Sequence, residues 1–423
     1  MTLKKKTIDN VNLKGKNLVI RVDFNVPLKV GESSELMVAN DFRIKSAIPT
    51  INYCINHEAN RIVLLSHLGR PDGNIILKYS MKPVFEQLKT LLDVKCKFIH
   101  EPHFEKGAEL VKNLSGVKVV LMENLRFNIG EEGSRVENID NKKTKIKATF
   151  DEKEKYERAI KSLGDVYVND AFGTVHRAHG SMKGTYFNIK CAGFLLSKEL
   201  EYFGKVLENP QKPLVAILGG AKVKDKIQLI ENMISLVDNL IICGGMVFTF
   251  LKTLHGMKIG SSLYDEEGSK VITRIMDAAK KQSVNVYFPV DFVIGNEIKD
   301  SAKISTVTDK EGVPDGFMGL DIGPKSVENF SKIILLSKTI VWNGPAGVFE
   351  VDSFAKGTKD ILDIVVQATK AGSVSVIGGG DTATCCEKWN KSHLISHVST
   401  GGGSSLELMQ GLKLPGVENL DDA

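Results

Sequence analysis

The sequence predicts an α/β fold of two Rossmann-like domains, each with a parallel sheet, joined by a hinge helix and separated by a cleft. The chain has 423 residues, more than one hydrophobic core usually holds, so two domains of about 200 residues each are expected. Short β-branched runs alternate with helical patterns in both halves. Polar or glycine-rich turns follow these runs, and ligands bind at such strand ends in open α/β sheets.

The composition is that of an ordinary globular protein, with 42% hydrophobic and 25% charged residues. The apolar stretch Leu240–Leu251 is shorter than the roughly 20 residues that span a bilayer, and the lysine-rich start lacks the apolar region of a signal peptide. We therefore expect no membrane association. Six cysteines are scattered without the spacing of metal ligands, which indicates reduced thiols in a cytoplasmic protein.

Charge is distributed unevenly along the chain. Residues 1–200 carry 33 basic and 24 acidic residues, a net charge of +9, whereas residues 201–423 carry 23 and 27, a net charge of −4. The basic half contains no arginine-rich helix and no pattern of stacking aromatic residues, so a nucleic acid partner is not expected. Anionic small molecules explain the same excess of positive charge.

In the first half, four strand-like runs each end in basic or polar residues. The runs are Asn17–Asp23, Arg61–Leu65, Val117–Met122 and Val166–Val168. The turn after the second run contains His67 and Arg70, and the turn after the fourth contains two histidines and Arg177. Guanidinium groups bind phosphate and carboxylate bidentately, so these turns together predict a site for a small anion. Arg43, in a helical stretch, is on spacing alone a solvated helix charge.

In the second half, glycines follow the strand-like runs. Helical periodicity over Leu195–Leu207 ends before Pro210, and the net charge changes sign nearby, so this helix is expected to connect the domains. The turns that follow it begin at Gly219, Gly244, Asn343, Gly378 and Gly401. Glycine lets backbone N–H groups approach phosphate oxygens, and a helix that starts at the turn adds its dipole.

The stretch Leu214–Lys226 delivers two glycines, Lys222 and Lys226 to the end of one strand. It is not a Walker A loop, because GxxxxGK[ST] is absent, and the chain has no GxGxxG fingerprint with a following ribose acid. A nicotinamide-dependent dehydrogenase therefore does not fit. A phosphate site in one half and a small-anion site in the other indicate phosphoryl transfer across the cleft.

Motifs along nearly the whole chain resemble those of the phosphoglycerate kinase family, in the family's order. They include RVDFNVP, SHLGRPDG, ENLRF, NDAFGTVHRAHGSM, LGGAKVKDKI, VWNGPAGVFE, GGGDTATC and HVSTGGGSSLELMQG. The resemblance implies a glycolytic kinase that transfers a phosphoryl group between 1,3-bisphosphoglycerate and Mg-ADP, giving 3-phosphoglycerate and ATP after hinge closure. The alternative is a non-catalytic two-domain anion-binding protein, which would not need Lys222 and Asp381 together.

The resemblance implies that the first half binds phosphoglycerate. Asp23 and Asn25 would meet its hydroxyl and carboxylate end. The residues implied around its phosphate are His67, Arg70, Arg126 and Arg177. Arg43 resembles the arginine that contacts the carboxylate and the migrating phosphoryl group, so the resemblance replaces the interpretation of Arg43 as a solvated charge.

The second half is implied to bind ADP or ATP. Lys222 resembles the lysine that follows the transferred phosphoryl group, and Lys226 resembles the lysine that holds nucleotide phosphates. Arg43 and Lys222 are thus the expected catalytic residues, and Asp381 resembles the ligand of Mg²⁺. The other implied nucleotide contacts are Ala221, Gly245, Gly319, Asn343, Glu350, Gly380, Thr382, Gly402 and Gly403.

The resemblance also suggests domain boundaries. Residues 1–192 with 406–423 would form the phosphoglycerate-binding domain, residues 193–209 the interdomain helix, and residues 210–405 the nucleotide-binding domain of a monomeric enzyme. We expect Leu406–Ala423 to pack on the first domain. Two segments, Lys29–Asn40 and Asn128–Lys155, match no family motif and have no predicted role.

Overall fold

The computed structural model describes residues 2–32, 34–139 and 142–423. Four residues lie outside the described residues: Met1 in the lysine-rich start, Ser33 in Lys29–Asn40, and Asp140 and Asn141 in Asn128–Lys155. The chain divides into two compact units. The first comprises Met1–Glu201 and Lys413–Ala423, and the second comprises Tyr202–Leu412.

The first unit is built on a six-stranded parallel sheet with the strand order β10-β9-β1-β4-β6-β5. Two further strand pairs, β2–β3 and β7–β8, form antiparallel hairpins. The strands are β1 (Asn17–Val22), β2 (Leu28–Val30), β3 (Leu36–Val38), β4 (Arg61–Leu65), β5 (Cys96–Phe98), β6 (Val119–Leu121), β7 (Ser134–Ile139), β8 (Lys142–Lys147), β9 (Val166–Asp170) and β10 (Ile189–Ala192). The helices are α1 (Phe42–Asn56), α2 (Lys82–Lys89), α3 (Phe104–Lys112), α4 (Ile129–Glu132), α5 (Phe150–Lys161) and α6 (Phe194–Leu207), the last of which continues into the second unit.

The second unit repeats this plan with the parallel order β13-β12-β11-β17-β18-β19 and adds a three-stranded antiparallel sheet, β15-β14-β16. Its strands are β11 (Leu214–Leu218), β12 (Asn239–Ile242), β13 (Asn285–Tyr287), β14 (Asp291–Gly295), β15 (Ile304–Thr308), β16 (Met318–Ile322), β17 (Thr339–Asn343), β18 (Val374–Gly378) and β19 (His397–Val398). The later helices are α7 (Ile227–Ile234), α8 (Val247–His255), α9 (Glu266–Ser269), α10 (Ile272–Lys281), α11 (Pro324–Leu336), α12 (Lys356–Lys370), α13 (Gly380–Lys388), α14 (Gly403–Met409) and, back in the first unit, α15 (Pro415–Glu418).

The central strands are buried on both faces, which is why they read as continuous apolar runs. In β1, Leu18, Val19 and Ile20 have no exposed surface, and Ile20 pairs with Leu64 on one side and with Val168 on the other. The predicted fold class, two domains with parallel sheets, is confirmed. None of the helices among the described residues combines the length and the apolar character that a membrane span requires.

The structure adds elements that the sequence did not predict. The segment Asn128–Lys155, which had no predicted role, contains the hairpin β7–β8 and the start of helix α5 at Phe150. This helix start has a local cause, because Thr149 and Glu152 form a capping box in which each side chain accepts the backbone N–H of the other. The short hairpin β2–β3, in the other segment without a predicted role, follows Pro27.

The unit boundaries differ from the predicted domain limits. The first boundary falls within α6, between Glu201 and Tyr202, and the chain returns to the first unit at Lys413 instead of residue 406. Helix α14 lies in the second unit because it packs on α7, where the side-chain amide of Asn232 donates to the Met409 carbonyl at 2.6 Å. The last residues pack on the first unit through an ion pair of 2.7 Å between Lys5 and Asp422.

The buried carboxylate of Asp291 holds the start of helix α11. Its oxygens accept the backbone N–H groups of Ser326 at 2.8 Å and Lys325 at 3.0 Å. We predict that Asp291→Ala lowers the free energy of unfolding of the second unit by about 2 to 3 kcal/mol, because these N–H groups lose an ionised acceptor in a buried position. Urea unfolding followed by tryptophan fluorescence measures this, since both tryptophans, Trp342 and Trp389, lie in that unit.

Asp315→Ala is the matched control, because Asp315 is exposed and its side chain contacts the exposed ammonium group of Lys258. Equal unfolding midpoints for the two variants would contradict the role assigned to Asp291.

Candidate active site

In the first unit, the turns after β1, β4, β6 and β9 meet at the carboxyl edge of the sheet, where they surround a pocket of about 520 Å³. The pocket is lined by all seven residues predicted to bind phosphoglycerate: Asp23, Asn25, Arg43, His67, Arg70, Arg126 and Arg177. It is also lined by seven residues outside that set: Gly69, Asp72, Glu132, Gly173, Thr174, His176 and His179. The sheet thus brings the predicted residues of distant segments to one place.

The turn at Gly69 ties three of these segments together. Gly69 has a φ of +61°, a left-handed conformation that glycine adopts without strain. Its N–H donates to Asn25 Oδ1 at 2.9 Å, and its carbonyl accepts from Arg126 Nη1 at 2.8 Å. Behind the turn, the buried amide of Asn124 donates to the Leu68 carbonyl at 2.7 Å and accepts the Leu68 N–H at 3.2 Å. Hydrogen bonds between side chains and the backbone of this turn therefore fix the relative positions of the segments that follow β1, β4 and β6.

Carboxylates accompany the arginines that are partly or largely buried. Arg126 is only 10% exposed and its Nε lies 3.2 Å from Glu132 Oε1. Burial raises the pKa of Glu132, and the opposing effect of Arg126 favours its ionised form. Arg43, at the start of α1, forms an ion pair with Asp23. The Arg43 side chain is 41% exposed, so a ligand in the pocket can reach it.

The pocket histidines contribute little positive charge at neutral pH. His67 is buried, and desolvation together with Arg21 and Arg126 holds its pKa well below the usual value. Burial lowers the pKa of His176 and of His179 to about 4. Arginine therefore supplies the positive charge of the pocket, and Arg70 and Arg177 present it on exposed side chains.

A buried polar network behind the pocket was missed at the sequence level. Arg21 and Glu131 have no exposed side-chain surface, and Arg21 Nη2 lies 3.9 Å from Glu131 Oε1. Ser181 joins them, accepting from Arg21 Nε at 2.8 Å and donating to Glu131 Oε1 at 2.7 Å. One signal was available, because Arg21 is a charged residue inside the apolar run NLVIRVD, and a charge inside a buried strand must be paired.

In the second unit, glycine turns meet at the carboxyl edge of the parallel sheet. A methyl group on Gly219 would overlap the carbonyl of Pro345, and one on Gly244 would lie 2.7 Å from the Gly220 nitrogen. The turns after β11, β12 and β17 therefore touch through their backbones, which only glycine permits at this distance.

Several predicted nucleotide contacts lie together at this edge. Lys226 donates to Asn343 Oδ1, and the Asn343 amide donates to the Gly378 carbonyl at 2.9 Å. The Thr382 hydroxyl accepts the Gly344 N–H at 2.7 Å. Burial lowers the pKa of Lys226, and the charge of Asp381 acts in the opposite direction. These residues form one cluster of a cation, an amide and a hydroxyl between the ends of β17 and β18.

The helix starts and exposed side chains of the predicted site lie around this cluster. Helix α13 begins at Gly380 and carries the exposed Asp381 in its first turn. Helix α14 begins at Gly403 after Gly402, whose φ is +48°. Ala221 and Lys222, which follow Gly220, are exposed.

The remaining predicted contacts lie near the antiparallel sheet. Gly245 precedes helix α8, and Phe248 of that helix lies so close to Gly319 of β16 that a methyl group there would overlap its ring. The segment that contains Glu350 joins the same strand, because the Val348 N–H donates to the Leu320 carbonyl at 2.9 Å. Within the described residues, no hydrogen bond or ion pair joins Glu350 to the lysine cluster. Across the described residues, no group of three or more His, Cys, Asp or Glu side chains could hold a metal ion.

Known proteins match this chain over nearly its whole length. The phosphoglycerate kinase family model matches residues 8–412. The chain is 52% identical over 423 residues to a phosphoglycerate kinase of Schistosoma mansoni, covering 100% of both chains, and 54% identical over 416 residues to one of Schizosaccharomyces pombe, covering 98% of this chain and 97% of that protein.

Solved structures match as well. The structure of phosphoglycerate kinase from Coxiella burnetii aligns with a TM-score of 0.84 at 36% identity, and that from Pyrococcus horikoshii with a TM-score of 0.71 at 27% identity. Each alignment covers 98% of both chains. The chain therefore belongs to the phosphoglycerate kinase family.

Proposed function

We propose that this chain catalyses reversible phosphoryl transfer between 1,3-bisphosphoglycerate and Mg-ADP, giving 3-phosphoglycerate and ATP. Membership of the family makes it a phosphotransferase. The observation that carries the proposal is the pocket of about 520 Å³ in the first unit, where all seven residues predicted to bind phosphoglycerate meet. Its charged lining matches a small ligand that bears both a phosphate and a carboxylate.

The phosphate of 3-phosphoglycerate is assigned to the basic side chains His67, Arg70, Arg126 and Arg177. A phosphate monoester carries about −1.5 to −2 charges at pH 7, and guanidinium groups neutralise it with bidentate hydrogen bonds. Arg126 is held for this task by Gly69 and Glu132. Arg70 and Arg177 are exposed at the pocket. Their side chains can therefore move into contact with the ligand without breaking an ion pair within the described residues.

The hydroxyl and carboxylate end is assigned to Asp23, Asn25 and Arg43. Nη1 of Arg43 donates to Asp23. Within the described residues the Arg43 guanidinium forms no other hydrogen bond, so its other N–H donors remain for the substrate. A guanidinium that contacts both the carboxylate and the phosphoryl group in transfer stabilises charge that develops on the equatorial oxygens. Arg43 is thus our first catalytic residue.

The nucleotide is assigned to the second unit. Lys226 would exchange its contact with Asn343 for a phosphate oxygen, and Lys222, which is exposed, would accompany the transferred phosphoryl group. The polar contacts to phosphates would come from the backbone at Ala221, Gly380, Gly402 and Gly403 and from Thr382. The adenosine side would be formed by Gly245, Gly319, Asn343 and Glu350, with Glu350 on a ribose hydroxyl.

Asp381 fits a role as the protein ligand of Mg²⁺. Its carboxylate is exposed and offers the hard oxygen that this ion prefers. Mg²⁺ commonly binds one or two carboxylates together with substrate phosphates and water, so a single acidic residue is sufficient. When bound, the ion would neutralise phosphate charge, while Lys226 and the start of α13 hold the phosphate chain in place.

The reaction requires no general base from the protein. In the direction that consumes ATP, the nucleophile is the carboxylate of 3-phosphoglycerate, and a carboxylate with a pKa of about 3.5 is ionised at pH 7. The residues assigned above therefore act by orienting the reactants and stabilising charge. The two substrates are assigned to different units, so the reaction also requires a step that brings them together and excludes water.

The proposal includes a monomeric protein in the cytoplasm. Every residue assigned to either substrate comes from one chain, so no second copy is needed to complete a site. All six cysteines are free thiols, as expected for a reducing compartment.

Purified protein is expected to form ATP from 1,3-bisphosphoglycerate and ADP in a coupled assay, and a chelator is expected to abolish this activity. Mg²⁺ added back in excess should restore it. A folded sample that binds 3-phosphoglycerate without any Mg-dependent turnover would favour the non-catalytic anion-binding alternative.

Arg43→Ala is expected to lower kcat by about 100- to 1,000-fold, the usual effect of removing one donor to a transition state, with little change in the affinity for ADP. Steady-state kinetics and nucleotide titrations measure the two effects separately. Arg158→Ala is the control, since Arg158 is also an exposed arginine of the first unit in an ion pair, with Glu154. An unchanged kcat for Arg43→Ala would show that Arg43 is a solvated charge of the helix and not a catalytic residue.

Lys226→Met is expected to weaken ADP binding by about 10-fold or more, because a charge-assisted hydrogen bond to phosphate is lost. The affinity for 3-phosphoglycerate should stay within about twofold of the unmodified protein, as measured by calorimetric titration. Lys270→Met serves as control, because this lysine lies in the same unit in an exposed pair with Glu267. Equal ADP affinities in the two variants would refute the assignment of Lys226.

A further inference from the structure

The side chain of Arg21 lies directly behind the pocket of the first unit. It is fully buried, and each part of its guanidinium has a fixed partner. Nε donates to Ser181 Oγ at 2.8 Å, Nη1 donates to the Val22 carbonyl, and Nη2 lies 3.3 Å from His67 Nδ1. These contacts leave Arg21 no free rotation, so the position of Nη2 beside His67 is set.

Glu131 balances the buried charge of Arg21. Its side chain is fully buried and its carboxylate lies 3.9 Å from Arg21 Nη2. It also accepts the Ser181 N–H at 2.9 Å and the Tyr156 hydroxyl at 3.1 Å. A buried ion pair persists only when such hydrogen bonds satisfy the remaining polar atoms. The network therefore holds the Arg21 side chain in place without the help of a ligand.

The contact with Arg21 determines which nitrogen of His67 carries hydrogen. A guanidinium has donors and no acceptor, so Nδ1 of His67 must be the acceptor. A neutral imidazole that accepts at Nδ1 carries its hydrogen on Nε2. His67 lines the pocket, and no hydrogen bond within the described residues engages its Nε2. That N–H is therefore available to an anion in the pocket.

The groups around His67 also keep it neutral. Arg21 on β1 contacts the ring, and Arg43 on α1, Arg126 after β6 and His179 line the same pocket and also oppose a positive charge on it. Burial, followed by these neighbours, holds the pKa of His67 well below its usual value. A second proton on the ring would be opposed by three arginines, so the ring acts as an uncharged donor over the physiological pH range.

We propose that Arg21 is a positioning residue that fixes His67 as the tautomer with hydrogen on Nε2, so that this N–H donates to a phosphate oxygen of the bound anion. The inference rests on the proposed function and deepens it, because it separates two contributions to anion binding in the pocket: positive charge and a hydrogen-bond donor of fixed direction. The arginines at the pocket supply the charge, and His67 supplies one donor of fixed direction.

The tautomer is tested directly on the full-length protein without ligand. Histidine labelled with ¹⁵N is observed by multiple-bond proton–nitrogen correlation, and the His67 signals are assigned by their loss in His67→Gln. We expect an unprotonated Nδ1, a protonated Nε2 and no titration between pH 6 and pH 8. Hydrogen on Nδ1, or a titration of the ring within this range, would overturn the proposal.

Two substitutions at His67 test the donor. The side-chain amide of glutamine can place an N–H near the position of Nε2, so His67→Gln is expected to keep the dissociation constant of 3-phosphoglycerate within about threefold of the unmodified protein. His67→Ala is expected to weaken binding by about 10-fold, the loss of one hydrogen bond to a charged group. Equal losses in the two variants would overturn the proposal.

Arg21→Lys tests the positioning role, because its ammonium keeps the charge beside Glu131 but lacks the planar fork that holds His67. In folded Arg21→Lys, we expect a mixture of His67 tautomers and weaker binding of 3-phosphoglycerate with unchanged binding of ADP. An unchanged tautomer with unchanged affinity would overturn the proposal, and the measurements at His67 decide it if the variant does not fold.

A titration of the unmodified protein with 3-phosphoglycerate separates this inference from the proposed function. If the ligand shifts neither the His67 signals nor the Arg126 amide, the assignment of the pocket to phosphoglycerate fails. The tautomer of the ligand-free protein is still decided by the spectrum.

Discussion

Parallel strand register is the constraint on which both sites depend. Strands that run in one direction end at one edge of the sheet, so side chains far apart in the sequence are delivered to the same place. In the first unit, Asn25, His67 and Arg126 follow β1, β4 and β6, and all three line one pocket. In the second unit, Asn343 ends β17 and contacts the Gly378 carbonyl that ends β18. A shift of one residue in any central strand would turn its buried side chains to the opposite face and separate these groups.

The two proposed anion sites differ in their physical chemistry. The first concentrates guanidinium groups and limits their mutual repulsion with carboxylates, since Arg43 is paired with Asp23, Arg126 with Glu132, and Arg21 with Glu131. The second combines Lys222, Lys226 and Asp381 with glycine turns that pack backbone against backbone. Arginine gives a directional site suited to a small ligand with two anionic ends, whereas backbone N–H groups and helix starts suit a phosphate chain.

The sequence predicted the parts of the fold that local pattern determines. The run Arg61–Leu65 is a strand with the predicted bounds, because its apolar, β-branched residues are buried in a parallel sheet. The hairpin β7–β8 was missed, since β8, KKTKIK, is charged, mostly exposed and stabilised by its pairing partner. The antiparallel sheet β15-β14-β16 was also missed. The network of Arg21, Glu131 and Ser181 was missed for a related reason. Its members are more than 100 positions apart at the extremes, and only the folded chain brings them together.

We propose that each unit carries its own anion site, one for phosphoglycerate and one for the nucleotide. The chemical shifts of the backbone amides, recorded by NMR with each ligand alone, test this assignment of one site to each unit. We expect 3-phosphoglycerate to cause its largest shifts at Gly69, Arg126 and Arg177, and ADP to cause its largest shifts at Gly220, Gly344 and Gly379. Largest shifts from 3-phosphoglycerate in the glycine turns of the second unit, or from ADP in the arginine pocket, would contradict it.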